Sequence, residues 1–331
     1  MHKKDPILDG HMKIIYTLLF VMGLAFSAQG QQWPQYSLYS WNPFAFNPAY
    51  AGLDGSLSFT GAFRKQWMGL EGSPLSQQAN LHMPLHILNS GVGLYLSNDQ
   101  LGAEHTIGVG AAYSFHFEIG SKATLSAGVS GQWLQYTLDG SILRTPEGSY
   151  EGGNIDHNDV ALPEGRFTAA TQTLGAGLYL QHPRYKFGVS VQNALEPSLS
   201  KNDISFTLDR AILATAGTRV GLGRYWYWEP SVLVKTNTRQ MQVDWTNILV
   251  YDGNFFGGFA FRGYDRLSVD AAVVLAGVRI NEKLFIGYAY DFSVSSLRQV
   301  NDGSHEIVLR YQLPKVLGKD RIPPIIYSPR F

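Results

Sequence analysis

His82 and His86 stand four apart, the spacing at which two imidazoles on one helical face can hold a metal ion. Pro84 lies between them, however, and no Glu follows His82, so the pair lacks both the helix and the general base. Its expected place is the end of a strand and the turn after it. The other His residues show no metal spacing, and the absence of Cys removes thiolate zinc sites, disulfides and thiol catalysis together. Gly128-Val129-Ser130-Gly131 is one residue short of the G-x-S-x-G elbow and falls inside an alternating run, not at a strand-to-helix turn. Gly91-Val92-Gly93 and Gly108-Val109-Gly110 begin like a dinucleotide fingerprint. Leu96 and Tyr113 then occupy the place of its third Gly, and no helix follows. The expectation is a chain with no catalytic, cofactor-binding or metal-binding residues, and so not an enzyme. Asp244 and Asp270 are carboxylates inside alternating runs and are expected to pair with Arg219 or Arg262, because a charge buried in a membrane protein needs a partner.

The elements around these residues alternate with a period of two, which in a strand sends successive side chains to opposite faces. From 106 to 117, Ile107, Val109, Ala111, Tyr113, Phe115 and Phe117 share one face, while Gly108, Gly110, Ala112, Ser114 and His116 share the other. Val92, Leu94 and Leu96 oppose Gly91, Gly93 and Tyr95. Leu174, Ala176 and Leu178 oppose Gly175, Gly177 and Tyr179, and Phe187, Val189 and Val191 oppose Gly188, Ser190 and Gln192. Leu284, Ile286, Tyr288 and Tyr290 oppose Phe285, Gly287, Ala289 and Asp291. About fourteen such segments lie between 56 and 312, with the pattern weakest over 210–250 around Arg210, Arg219 and Pro230. An apolar face against a small or polar face, repeated along one chain, predicts a transmembrane antiparallel up-and-down β-barrel. Trp67, Trp133, Trp226, Trp228 and Trp245 are candidates for its interfacial girdle.

The connections sort by length. Short turns are expected at 118–122, 182–184, 221–225, 251–254 and 280–282, and longer ones at 65–75, 98–104, 138–171, 193–209 and 292–303. In bacterial barrels the short turns are periplasmic and the long loops external. An even strand count then puts both termini in the periplasm.

Lys3, Lys4 and Lys13 precede the uncharged run 14–26, which ends in Ser27-Ala28-Gln29-Gly30. This describes a secretory signal peptide over 1–30, with a mature chain from Gln31; Met12 is a possible start within it. The expected organisation is then an extended periplasmic segment over 31–55, a barrel over 56–312 and a periplasmic tail over 313–331. Formal net charge is +0 and charged residues are 16% of the chain, a composition unsuited to nucleic acid and suited to outer-membrane lipid.

Two long motifs carry a family resemblance. Asn42-Pro43-Phe44-Ala45-Phe46-Asn47-Pro48-Ala49-Tyr50-Ala51-Gly52 resembles the opening of the PorP/SprF family. The likeness continues through Arg64-Lys65-Gln66-Trp67, Gly69, Gly72, Pro74 and Gln77, then Ser97-Asn98-Asp99 with Gly102. It closes with Gly287-Tyr288-Ala289-Tyr290-Asp291-Phe292-Ser293 and Gly303-Ser304-His305-Glu306-Ile307-Val308-Leu309-Arg310-Tyr311. The resemblance implies an outer-membrane component of the type IX secretion system of Bacteroidetes, related to gliding motility. It would be needed for export or surface attachment of a partner such as a large adhesin, with that adhesin and the secretion machinery as partners. The motif residues also have physical readings. Pro43 and Pro48 would hold an extended, donor-poor segment, Gly52 and Gly55 permit the turn into the barrel, and Tyr50 and Trp67 would sit near an interface.

Physics alone leaves a second reading open, a porin-like or solute channel, since a barrel of this size encloses either a pore or a plug. The first candidate for a partner-facing surface is the loop 138–171, and the second is the loop 64–77.

Overall fold

The computed structural model describes residues 34–151, 154–159, 162–201, 204–264 and 268–313. The expected signal peptide, and the tail beyond Leu313, lie outside them. The strands are β1 (Leu57–Lys65), β2 (Leu75–Leu85), β3 (Ser90–Leu101), β4 (Glu104–Ile119), β5 (Ala123–Asp139), β6 (Arg166–Gln181), β7 (Tyr185–Gln192), β8 (Ser198–Lys201), β9 (Ile204–Thr207), β10 (Ala211–Thr218), β11 (Val220–Gly221), β12 (Trp226–Thr236), β13 (Met241–Tyr251), β14 (Phe255–Tyr264), β15 (Ser268–Arg279), β16 (Leu284–Ser293) and β17 (Ser304–Leu313). Strands β8 and β9 form a small separate hairpin. All the others lie in one antiparallel sheet, and β10 and β11 are one strand broken at Arg219. Sequence neighbours pair all the way round, and the pairing of β1 with β17, Leu57 opposite Leu313, closes a barrel of fourteen strands.

The alternation read from the sequence is the alternation of the wall. Val109, Tyr113, Phe115, Leu174, Leu178 and Phe187 are exposed on the outside, where a soluble protein could not leave so many apolar side chains. Ala112, Ser114, Tyr179 and Ser190 are buried on the inside. Trp133, Trp226, Trp228 and Trp245 are exposed on the outer face, as a girdle requires. Trp67 is instead half-buried in a loop, with φ of 51°.

Both described ends of the barrel lie at the end that carries the short connections 86–89, 120–122, 182–184, 222–225, 252–254 and 280–283. The opposite end carries 66–74, 140–165, 193–210 and 294–303. One expected long loop is absent. Ser97, Asn98 and Asp99 continue the β3 ladder, opposite Gly108, Ile107 and Thr106, so only 102–103 separate β3 from β4. Polar residues misled the reading there, because above the bilayer a strand's outer face meets water and loses its apolar alternation. For the same reason β5 and β6 run further than expected, and the loop between them shrinks to 140–165.

Residues 34–55 depart most from expectation. They are not extended: Tyr39–Trp41, Pro43–Ala45 and Pro48–Tyr50 form three 3-10 turns, each of the last two with a Pro in its first positions. Proline presets the backbone angle of a turn and lacks a donor that the first turn would leave unused. The prolines therefore start turns here and do not prolong an extended chain. Gly52 and Gly55, at φ of 77° and 69°, do make the turn into β1.

Candidate functional site

Residues 35–51 touch strands from β1 round to β7 and from β12 to β17, so this segment occupies the lumen. Tyr36, Leu38, Tyr39, Trp41, Phe44, Phe46 and Tyr50 are all buried. Small residues in the wall admit them. A Cβ on Gly93 would stand 2.3 Å from the Phe44 ring, and one on Gly287 2.3 Å from Trp41. A Cβ on Gly128 would meet the Ala49 backbone at 2.5 Å. Of the Gly pairs that imitate a phosphate loop, Gly91 and Gly93 are thus places where the wall makes room for the segment, while Gly108 and Gly110 make room for wall side chains, Gln132 and Tyr95.

Two ionic clusters fix it. In the first, Arg64 of β1 contacts Asp291 of β16 at 2.7 Å and Glu306 of β17 at 3.2 Å. Arg262 of β14 contacts Asp244 of β13 at 2.6 Å and the same Asp291 at 3.0 Å. Ser37 sits at the centre. Its backbone N–H and that of Leu38 donate to the two Glu306 oxygens at 2.6 and 3.0 Å. Its hydroxyl donates to Asp291 and accepts from Arg64 and Arg262. Lys235 is buried beside them and interacts electrostatically with Asp244 and Glu306, so three cations lie near three carboxylates, although its Nζ has no hydrogen-bond partner among the described residues. Charges taken out of water need this matching, since one unpaired member would cost several kcal/mol.

The second cluster lies nearer the short-turn end. Asp54 Oδ2 is 2.5 Å from Arg310 and 3.3 Å from His82 Nε2, and Tyr50 donates its hydroxyl to Asp54 Oδ1 at 2.8 Å. His82 Nδ1 accepts the Gly52 N–H at 3.1 Å. Burial opposes the charge on Asp54, but Arg310 and His82 outweigh it and hold the carboxyl well below its ordinary range. Burial, with Asp54 beside it, pushes the Tyr50 hydroxyl up.

The expected site residues fall into two sets. Asn47, Pro48, Tyr50, Gly52, Arg64, Asp291 and Glu306 belong to the lumen. Asn47 caps the third turn through the Ala49 N–H and donates to the carbonyls of Leu178 and Val189. Tyr50 is buried and does not reach an interface, and Arg64 is in the wall, so neither can face a partner outside. The other set organises the long-loop rim. Lys65 donates to the Ser73 carbonyl, Gln66 N–H to that of Pro74, and Trp67 N–H to the Ser304 hydroxyl. Asn98 bonds Gln77 and His105, and Asp99 faces the lumen opposite Ser76. His305 meets the Tyr288 hydroxyl at 2.7 Å and packs edge-on to Tyr290, whose own hydroxyl donates to Asp302. The loops 66–74 and 294–303 are joined directly, by Met68 N–H to the Gly303 carbonyl and Asp302 N–H to the Met68 carbonyl.

Of the carboxylates read from sequence, Asp244 takes Arg262; Arg219 pairs with Glu229 at 2.6 Å, and no ion pair to Asp270 occurs among the described residues. Ser130 lies on the inner face of β5. The structure does place a Ser against a His elsewhere, Ser114 and His116 at 3.0 Å, but the Ser114 hydroxyl donates to the Ala51 carbonyl beneath the lumenal segment. No group of residues able to hold a metal ion occurs among the described residues. Ser37, His82, Asp54, Arg262 and Arg310 escaped the sequence reading as site residues. The available signal was the aromatic run from Tyr36 to Tyr50, which has no period of two and so cannot be a strand.

The sequence profile of the family described as type IX secretion system membrane protein PorP/SprF matches residues 28–311. The chain belongs to that family. A PorP/SprF barrel is an outer-membrane protein associated with the secretion machinery. No curated protein matches this chain. Among solved structures it is similar to the toluene transporter TbuX of Ralstonia pickettii, with 12% identity, a TM-score of 0.47 and coverage of 81% of this chain and 92% of the other. It is also similar to the Acinetobacter baumannii outer membrane protein Omp33, with 10% identity, a TM-score of 0.44 and coverage of 78% and 98%.

Proposed function

We propose that this PorP/SprF chain is a non-enzymatic barrel that supports export or surface attachment of one partner protein, a large adhesin being the fitting class. Its short turns and termini face the periplasm and its long loops the outside. The observation that carries this reading is the filled lumen. A barrel whose interior is occupied by its own residues 35–51, bonded to both clusters through Ser37 and Tyr50, works at its rims. A stable protein interface buries about 1,200–2,000 Å² in total, an area that several external loops can supply. His82, Ser114 and His116 bond the backbone of Ala51 and Gly52, at the end of the lumenal segment. The described residues of the loop 140–165 are tied together. Ser149 pairs with Asp156, and buried His157 bonds Tyr150 and the Pro163 carbonyl. The test is a deletion strain scored for surface-bound proteins beside uptake of a small hydrophilic antibiotic. Loss of one surface protein with unchanged uptake is expected. An unchanged surface proteome with reduced uptake makes the protein a channel and overturns the reading.

A further inference from the structure

Strand β6 is paired on one side along its whole length and on the other along only part of it. Against β5 the ladder runs from Gln181, opposite Thr124, to Arg166, opposite Asp139. Against β7 it stops at Ala176, opposite Val191. Beyond that point one bond reaches the free side, from Ala194 N–H to the Leu174 carbonyl. In an antiparallel strand a residue's N–H and C=O point to the same side, and alternate residues point to opposite sides. Leu174 therefore marks the side: Thr168, Ala170 and Gln172 direct their N–H and C=O groups away from β5. No backbone partner for those groups occurs among the described residues. From Thr168 to Leu174 this open edge is about 20 Å long.

The edge stands above the bilayer. On the outer face of β6, apolar Leu174, Ala176 and Leu178 give way to Gln172, Ala170 and Thr168. Gln172 is opposite Trp133, a girdle residue. The inner face of the projecting sheet is covered, since Leu199 of the β8–β9 hairpin is buried against Tyr136 and Phe167. Its edge is not. Natural proteins usually blunt such edges with charge, proline or a bulge, and Thr168, Ala170 and Gln172 supply none of these.

We infer that the Thr168–Gln172 edge of β6 is a docking site for an extended polypeptide segment, which adds a strand to the sheet outside the cell. This rests on the secretion reading above and names the surface that does the binding. A row of alternating donors and acceptors on straight backbone is matched only by another extended backbone, with alternate side chains read at small Ala170. A second copy of this chain does not fit. Two barrels in one bilayer point the same way and would present these edges in parallel, whereas a parallel ladder is not equivalent on its two strands and cannot lie on a two-fold axis. Antiparallel pairing would turn one barrel upside down.

Proline tests this cleanly, because at positions 170 and 172 it removes only donors on the open side and leaves the β5 ladder whole. The variant carrying Ala170→Pro and Gln172→Pro should assemble as a heat-modifiable barrel, yet cut surface display of the protein lost in the deletion strain by at least about tenfold. Ala170→Ser with Gln172→Ala, which changes side chains but no backbone group, should display normally. Wild-type display from a folded double-proline barrel overturns the docking site while leaving the secretion function standing. A deletion strain with an intact surface proteome overturns the function itself. Amide exchange supplies a readout that needs no substitution. In the isolated barrel the amides of Ala170 and Gln172 should exchange fast and those of Ala169 and Thr171 slowly. In the complex solubilised from wild-type cells all four should be slow. Equally fast exchange at 170 and 172 in that complex also overturns the site.

Discussion

The Glu306 carboxylate accepts the backbone N–H of Ser37 at 2.6 Å, across 269 positions of sequence. Glu306 belongs to the last strand of the barrel and Ser37 to the segment that precedes the first, so this bond locks the lumenal segment where the sheet closes. Arg64, opposite Glu306 in the β1–β17 ladder, is the cation both depend on.

Replacing Arg64 is therefore expected to cost more than one contact. Arg64→Ala leaves Glu306 without its cation and Asp291 with Arg262 alone, with both carboxylates buried. Removing one partner of a buried pair destabilises by roughly 3–5 kcal/mol. Urea unfolding followed by tryptophan fluorescence should show a loss of that size, and a loss below about 1 kcal/mol would mean the cluster is open to solvent.

The lumenal segment is expected to make the barrel impermeable. In planar bilayers the intact protein should show no stepwise conductance, and deletion of 35–52 should create it, since a barrel of this size can enclose a channel. Gly128→Val should act in the same direction without a deletion, because its side chain enters space held by Ala49. Conductance of the intact barrel equal to that of the deletion would show that the segment does not seal it.

The fold was legible because lipid outside and a packed segment inside enforce the same alternation on most strands, as in Val92 and Leu94 against Gly91 and Gly93. The strand ends were not, since beyond Trp133 the outer residues Gln135 and Thr137 face water and the contrast between faces disappears. The lumenal segment escaped for another reason. Pro43 and Pro48 serve an extended chain or a turn equally well, and only the wall that receives them decides. The family motifs could be recognised from their order, but not that Arg64, Asp291 and Glu306 meet, because register between distant strands is not written in either one.

Asp54 should make the hold on the segment acid-sensitive late, not early. Its carboxyl is held below its ordinary value in the folded protein, so its contribution is complete above the unfolded value of about 3.9 and fades as pH falls through the lower folded value. Between pH 7 and about 5, Asp54 should therefore add no pH dependence. Asp54→Asn should lower the urea midpoint at pH 7 and reduce the further loss seen on strong acidification. The same difference between variant and wild type at pH 7 and at pH 2 would show that the charge of Asp54 is not what holds it.

The orientation of the barrel can be settled with two cysteines, since the chain has none of its own. Glu147 is exposed in the loop 140–165, and Pro183 is exposed in the turn between β6 and β7 at the opposite end. If the long loops are external, Glu147→Cys should react with an impermeant maleimide on whole cells while Pro183→Cys reacts only after the outer membrane is breached. Both positions avoid the ionic clusters and the lumenal segment, so neither change should disturb assembly, which heat modifiability checks. Labelling of Pro183→Cys alone on whole cells would invert the barrel and place the β6 edge in the periplasm. The edge would then meet a partner before export and not after it.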